Sequence, residues 1–136
     1  MNATSDRSML TDGPFEFADQ LHTATEHLFV ATVRSGIVGH DGLMDGLDDA
    51  LALPSYFGRN WNALLDCLRD LHWRTEVAVL LVHEELPTLT DAELELYLEV
   101  LADAVEHWRL RGGHQLRVQF PVDTAAKVRS ASHVMK

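Results

Sequence analysis

Residues 77–82, Val-Ala-Val-Leu-Leu-Val, form an unbroken apolar run of strand length. Runs of this kind belong to strands covered on both faces, as in parallel sheets, because no position is left over for a wet side. A second run, residues 28–33, is apolar and β-branched and reads as another buried strand. The third candidate, residues 116–120, alternates strictly, as an edge strand with one wet face would, and Pro121 stops it. Helical patterns separate the three. The first opens at His40 and Asp41, with Asp41 as its expected cap. It sets Leu43, Leu47, Ala50 and Leu51 against Asp45, Asp48 and Asp49, and closes before Pro54. Gly42 and Gly46 cost that helix about 1 kcal/mol each relative to alanine, so it needs tertiary packing. The last helix begins with a capping box at Thr90 and Glu93 and carries the stripe Leu94, Leu98, Leu101, Val105 and Trp108. Arg109 and Arg111 suit its C-terminal dipole, and Gly112–Gly113 ends it. The order is β, α, loop, α, β, α, β, whose default is an α/β fold of parallel strands joined by right-handed helical crossovers.

At 136 residues the chain is one domain with room for a real core. Residues 1–27 read as an N-terminal extension: a polar, mobile leader to residue 14, then Phe15, Phe17 and Leu21 gripping the core, with a short helix around Ala18 to Glu26. Residues 28–120 are the domain proper, and 121–136 a loosely attached tail. No run approaches the ~18 apolar residues needed to span a bilayer, and the first residues lack the basic flank and apolar segment of a secretory signal. Cys67 is the only cysteine, which rules out an intrachain disulfide and fits a reducing compartment. The expected location is the cytoplasm.

The net charge is −10. Residues 1–120 hold eight Lys/Arg against twenty Asp/Glu, −12, while the last sixteen set Lys127, Arg129 and Lys136 against Asp123, +2. An acidic body disfavours nucleic acid, whose binding rests on neutralising phosphates, and favours a basic protein partner. The eight histidines are scattered without ligand spacing, so no metal site is expected. No phosphate-binding glycine loop is present, and Cys67 falls on an apolar stripe. A His107–Asp66 pair would lack a nucleophile. Neither enzyme activity nor a cofactor is expected.

The remaining stretch, residues 53–68, is where a partner surface is expected. Pro54 ends the preceding helix, Tyr56 and Phe57 precede Gly58, and Asn60 is a good N-cap for a helix whose buried stripe is Leu64, Cys67, Leu68 and Leu71. The opposite face carries Asn62, Leu65, Asp66 and Arg69, next to Tyr56 and Trp61. The pattern Leu-Pro-x-Tyr-aromatic-Gly-x-Asn-x-x-Ala-Leu-x-Asp-Cys-Leu resembles the barstar family, intracellular inhibitors of barnase-type ribonucleases, and a weaker likeness extends over about residues 28–120. The resemblance implies a barstar-like, three-stranded parallel sheet packed with helices. It also implies that the loop and helix from Tyr56 to about Asp70 plug the basic active site of a ribonuclease, with Asp66 as the central carboxylate. Tyr56 and Asn60 match contact or loop-shaping positions and Gly58 a close-approach glycine, while Phe57 is expected in the core.

Several positions depart from the family pattern. Asn62 stands where an acid is usual, Leu65 where an aromatic tends to be, and Arg59 where an acid is frequent, while Trp61 supplies an aromatic one turn earlier. The family's glutamate from the last long helix has no secure match: Glu106 is adjacent in register and His107 nearest. These differences point to a related or differently shaped ribonuclease, with Trp61 as an aromatic anchor. Two other readings compete. An acidic adaptor of the same fold would bind a different basic partner through the helix 93–106, and a small enzyme would use His107 and Asp66.

Overall fold

The structure is a computed structural model that describes residues 9–19, 23, 25 and 27–132. A hairpin of β1 (Met9–Asp12) and β2 (Phe15–Ala18) comes first. The expected alternation follows: β3 (Leu28–Val33), α1 (Gly39–Leu51), α2 (Trp61–Asp70), β4 (Ala78–His83), α3 (Asp91–Arg111) and β5 (Gln115–Phe120). A 3₁₀ turn, Val122–Thr124, leads into α4 (Ala125–Ala131). The sheet order is β1-β2-β5-β4-β3; β2, β5, β4 and β3 run parallel and β1 antiparallel to β2.

The sheet therefore has four parallel strands, not the three expected, with β1 as an antiparallel fifth. Phe15 and Phe17, two residues apart, share one face of β2 and are fully buried. Phe15 meets the Phe120 ring edge-on at 5.6 Å and Phe17 stacks on it at 6.3 Å. The residue between them, Glu16, lies on the other face and grips Arg117 of β5 through two hydrogen bonds of 2.8 Å. β5 is thus an interior strand. Its alternating polar position is an ion pair to the next strand, a pattern that sequence alone shares with a wet edge. The helix expected from Ala18 to Glu26 is not found at Ala18, which ends β2; residues 20–22, 24 and 26 lie outside the described residues.

One core cluster joins the inward rows of the sheet (among them Ala31, Leu81, Val118 and Phe15, in register) to side chains from all four helices. The helices consequently share one face of the sheet. The described part of the segment expected to be a loose tail, residues 121–132, belongs to this core as well, since Val128 of α4 is fully buried. α1 starts at Gly39 after Val38, which makes no side-chain cap. Asp41 lies inside the first turn, where its charge suits the helix dipole, rather than at the cap. Gly46 makes room for Ile37 despite its helical cost: a Cβ there would crowd the Ile37 Cδ1 methyl and force that side chain to shift. α3 has the capping box formed by Thr90 and Glu93, and its last turn carries Arg109 and Arg111 before Gly112.

The apolar stripe read for α3 omitted Tyr97, which is fully buried against β4 and β5. His83 Nδ1 donates to the Gln119 carbonyl at 2.9 Å, and the Tyr97 hydroxyl donates to Nε2 at 2.6 Å. The imidazole also stacks on Phe120 at 4.2 Å. Burial pushes His83 down to about 4, with the bond to Gln119 opposing, and burial pushes the Tyr97 phenol up. Both groups stay neutral and fully bonded.

Two measurements test this packing. His83 has a folded-state pKa below its ordinary 6.5, so the unfolded chain binds its proton more readily. Its contribution to stability should be complete above about pH 6.5 and fall by on the order of 3 kcal/mol as the pH drops to 4. Denaturant unfolding at stepped pH should show this loss, with a shallower dependence in His83→Gln. Phe17→Ala should lower unfolding stability by about 3–5 kcal/mol in the same assay, whereas a loosely gripping extension would lose almost nothing.

Candidate protein-contact site

The loop between α1 and α2 is shaped by local chemistry. α1 ends at Ala52 in the left-handed region (φ 52), and the Phe57 amide donates to the Pro54 carbonyl at 2.9 Å, closing a turn. Phe57 enters the core at 9 % exposure while its neighbour Tyr56 stays 60 % exposed, which separates the two aromatics cleanly. Gly58 is exposed, and a Cβ there would touch Ala63 and Asn60 at 3.4 Å. Arg59 adopts the left-handed region (φ 58) and reaches back to Asp45 and Asp48 of α1. Asn60 then caps α2: its Oδ1 accepts from the Ala63 amide at 2.8 Å while Nδ2 donates to the Gly58 carbonyl at 3.3 Å.

α2 buries the expected stripe of Leu64, Cys67, Leu68 and Leu71. The Cys67 thiol is pushed up by burial and by the carboxylates of Asp70, Asp66 and Asp48, the opposite of nucleophile activation. Asn62, Asp66 and Arg69 are exposed on the outer face, and Leu65 is half-buried against the core. Asp66 makes no hydrogen bond or ion pair with the described residues. Arg69, although only three residues further along α2, donates instead to Asp103 of α3, with Nε at 3.2 Å.

Trp61 is half-buried, with its ring 5.2 Å from His40 and 6.2 Å from Tyr97, so it anchors the start of α2 between α1 and α3. His107 turns its ring against Trp108 at 4.9 Å and, with Arg69, Asp103 and Glu106, lines a groove along α3. It makes no bond to Asp66. Glu106 is held by Arg109, whose hydrogen bonds lower its carboxyl pKa despite some desolvation. With Trp61 and Leu65 half-buried against the core, the other site residues fall into two groups. Tyr56, Gly58, Asn60, Asn62 and Asp66 are exposed along the loop and the outer face of α2, whereas Arg69 and His107 belong to the α2–α3 groove.

Asp70 was not singled out by sequence reasoning, although it lies four residues beyond Asp66 on the same helix face. The Tyr56 hydroxyl donates to its Oδ2 at 3.0 Å, and His72 Nδ1 approaches the same oxygen at 2.6 Å. Desolvation raises the Asp70 pKa, but the bonds from His72 and Tyr56 outweigh it and leave the carboxyl below its ordinary value. The Tyr56 phenol is pushed up by partial desolvation, by that bond and by the Asp70 charge.

Among the described residues no cluster of three or more His, Cys, Asp or Glu side chains could hold a metal ion, and no helix is long and apolar enough to cross a membrane. What fold and site define is a one-layer-of-helices α/β domain that presents a polar, carboxylate-bearing loop and helix to the outside. The family model for barstar, the barnase inhibitor, matches residues 28–121, more than two-thirds of the chain. The chain belongs to the barstar family. The match begins at β3, so β1 and β2 lie outside it. No curated protein and no solved structure matches the chain.

The cap is the local feature on which the loop-to-helix junction depends. Asn60→Ala removes the bond to the Ala63 amide and should lower stability by about 0.5–2 kcal/mol in denaturant unfolding, whereas Asn60→Gly should cost only a few tenths.

Proposed function

We propose that this protein inhibits a barnase-type or related toxic ribonuclease by laying the loop and helix from Tyr56 to Asp70 into the enzyme's active site. A ribonuclease site is basic because it must hold phosphate, so a carboxylate carried into it can take the place of one. Asp66 is the central group in this reading. The observation that carries it is that Asp66 is exposed and uncommitted while both nearby arginines are engaged elsewhere, Arg59 with α1 and Arg69 with α3. Its negative charge is therefore not cancelled locally. Tyr56, Gly58, Asn60 and Asn62 form the rest of the surface. Trp61 supports it from below, its ring packed between His40 and Tyr97. Membership of the barstar family supports a protein partner of this kind, and the mechanism asks for no cofactor and no catalysis.

Use of the acidic helix 93–106 by a different basic partner is the less favoured reading. Asp103 and Glu106 on that helix already bond Arg69 and Arg109, which reduces the field they offer to another protein.

Inhibition of purified barnase by this protein, with Asp66→Ala beside it, tests the proposal. Inhibition near one-to-one stoichiometry is expected. The variant should lose about 3–5 kcal/mol of binding, because it leaves the enzyme's cations buried without their partner. Equal inhibition by both proteins would remove Asp66 from the mechanism. Absence of inhibition, extended to other barnase-type ribonucleases, would overturn the proposal.

A further inference from the structure

Asp70 closes a bridge of three side chains across the surface just described. Tyr56 stands in the loop before α2 and Asp70 at the end of α2, fourteen residues later, yet hydroxyl and carboxylate meet at 3.0 Å. His72 holds the same Oδ2 from the other side at 2.6 Å. An exposed phenol on a loop ordinarily samples several rotamers, and ordering it on binding costs affinity. Here it is tethered beforehand. Tyr56 is 60 % exposed, so burial alone does not hold it, and it needs the bond to keep one orientation.

We propose that Asp70 is a positioning residue of the binding surface, latching the exposed Tyr56 ring to the C-terminal turn of α2 so that loop and helix meet the partner as one preformed unit. The inference rests on the proposed inhibitory role of that surface. The partner chemistry it implies is a flat or cationic group placed against the exposed face of the phenol, since the hydroxyl is already committed to Asp70. His72 steadies Asp70 and so acts one step further from the partner. The same three-way contact makes Asp70 a poor direct ligand for a partner cation, because its Oδ2 is shared by two donors already.

Two measurements test the latch. The first needs no partner. The chain has two tyrosines, and the other, Tyr97, is fully buried, so a phenol titration followed by the Tyr56 ring carbon in NMR is read without ambiguity. The Tyr56 midpoint should move down in Asp70→Ala, because the carboxylate no longer accepts from the hydroxyl. An unchanged midpoint would overturn the latch whatever the protein binds. The second is binding to barnase by wild type, Asp70→Ala, Asp70→Asn, Tyr56→Phe and the double variant Asp70→Ala/Tyr56→Phe. Asp70→Ala should weaken binding by about two- to tenfold, the worth of one hydrogen bond. Asp70→Asn keeps an acceptor oxygen and should restore most of that loss, and the double variant should be no weaker than Tyr56→Phe alone. If Asn is as weak as Ala, or the two losses add, Asp70 acts through its charge on the partner and the positioning role is overturned. Failure of the wild type to bind barnase and other barnase-type ribonucleases, with the titration shift present, would overturn the inhibitory reading and the binding role of Asp70 with it, leaving only a local tether.

Discussion

The indole N–H of Trp108, donating to the Leu68 carbonyl at 2.8 Å, decides which part of α2 can meet anything outside the molecule. Leu68 lies in the last turn of α2, where a helix leaves its carbonyls without internal partners. One of these is taken by the chain itself, as the Leu71 amide returns to Cys67. The next is taken by Trp108, a side chain forty residues away on α3 and 6 % exposed. With the stripe Leu64, Cys67, Leu68 and Leu71 sealed below it, α2 has little freedom to roll. Arg69 and Asp103 add a second tie between the two helices at the surface. Asn62 and Asp66 face outward as a consequence of these constraints.

Charge in this molecule is distributed by commitment rather than by count. Arg34 pairs with Asp49, Arg59 with Asp45 and Asp48, Arg69 with Asp103, Arg74 with Glu76, Arg109 with Glu106, and Arg117 with Glu16. Apart from the part-buried Arg74–Glu76 and Arg117–Glu16, these pairs are exposed and worth little to stability. They do, however, fix where positive charge is spent, and so leave Asp66 as an uncompensated carboxylate in an acidic protein. Arg59 shows the point well. Read along the chain it weakens an acidic contact surface, but folded it is drawn back onto α1 by two carboxylates.

The N-terminal hairpin extends the sheet past the limits of the family match. Parallel pairing of β2 with β5 leaves β5 without a free edge, and the hairpin then places the short strand β1 at the rim. An exposed row of backbone donors and acceptors on β5 would invite association with other chains. Phe15 and Phe17 hold β2 in place through Phe120, itself stacked on His83, so hairpin, sheet and the buried His83–Tyr97 contact form one packed unit.

Local chemistry in the chain determined much of this protein. The strands 28–33 and 77–82, the Asn60 cap, the Thr90–Glu93 capping box and the buried stripe of α2 all follow from periodicity and capping, which act over a few residues and leave a direct trace in order and spacing. The motif around Tyr56 to Leu68 likewise marked the family. Tertiary structure alone decided the rest, because it depends on partners distant in the chain. Phe15-Glu-Phe is too short to betray its period, and only Phe120 and Arg117, a hundred residues on, make it a strand. Alternation in 116–120 is the same whether its polar residues meet water or Glu16. Tyr97 fell outside an aliphatic stripe, although burial suits it once His83 offers an acceptor for its hydroxyl. Asp70 and Tyr56, Arg59 and α1, Arg69 and Asp103 are likewise pairings that no helical or strand period encodes, since each is set by how the elements pack.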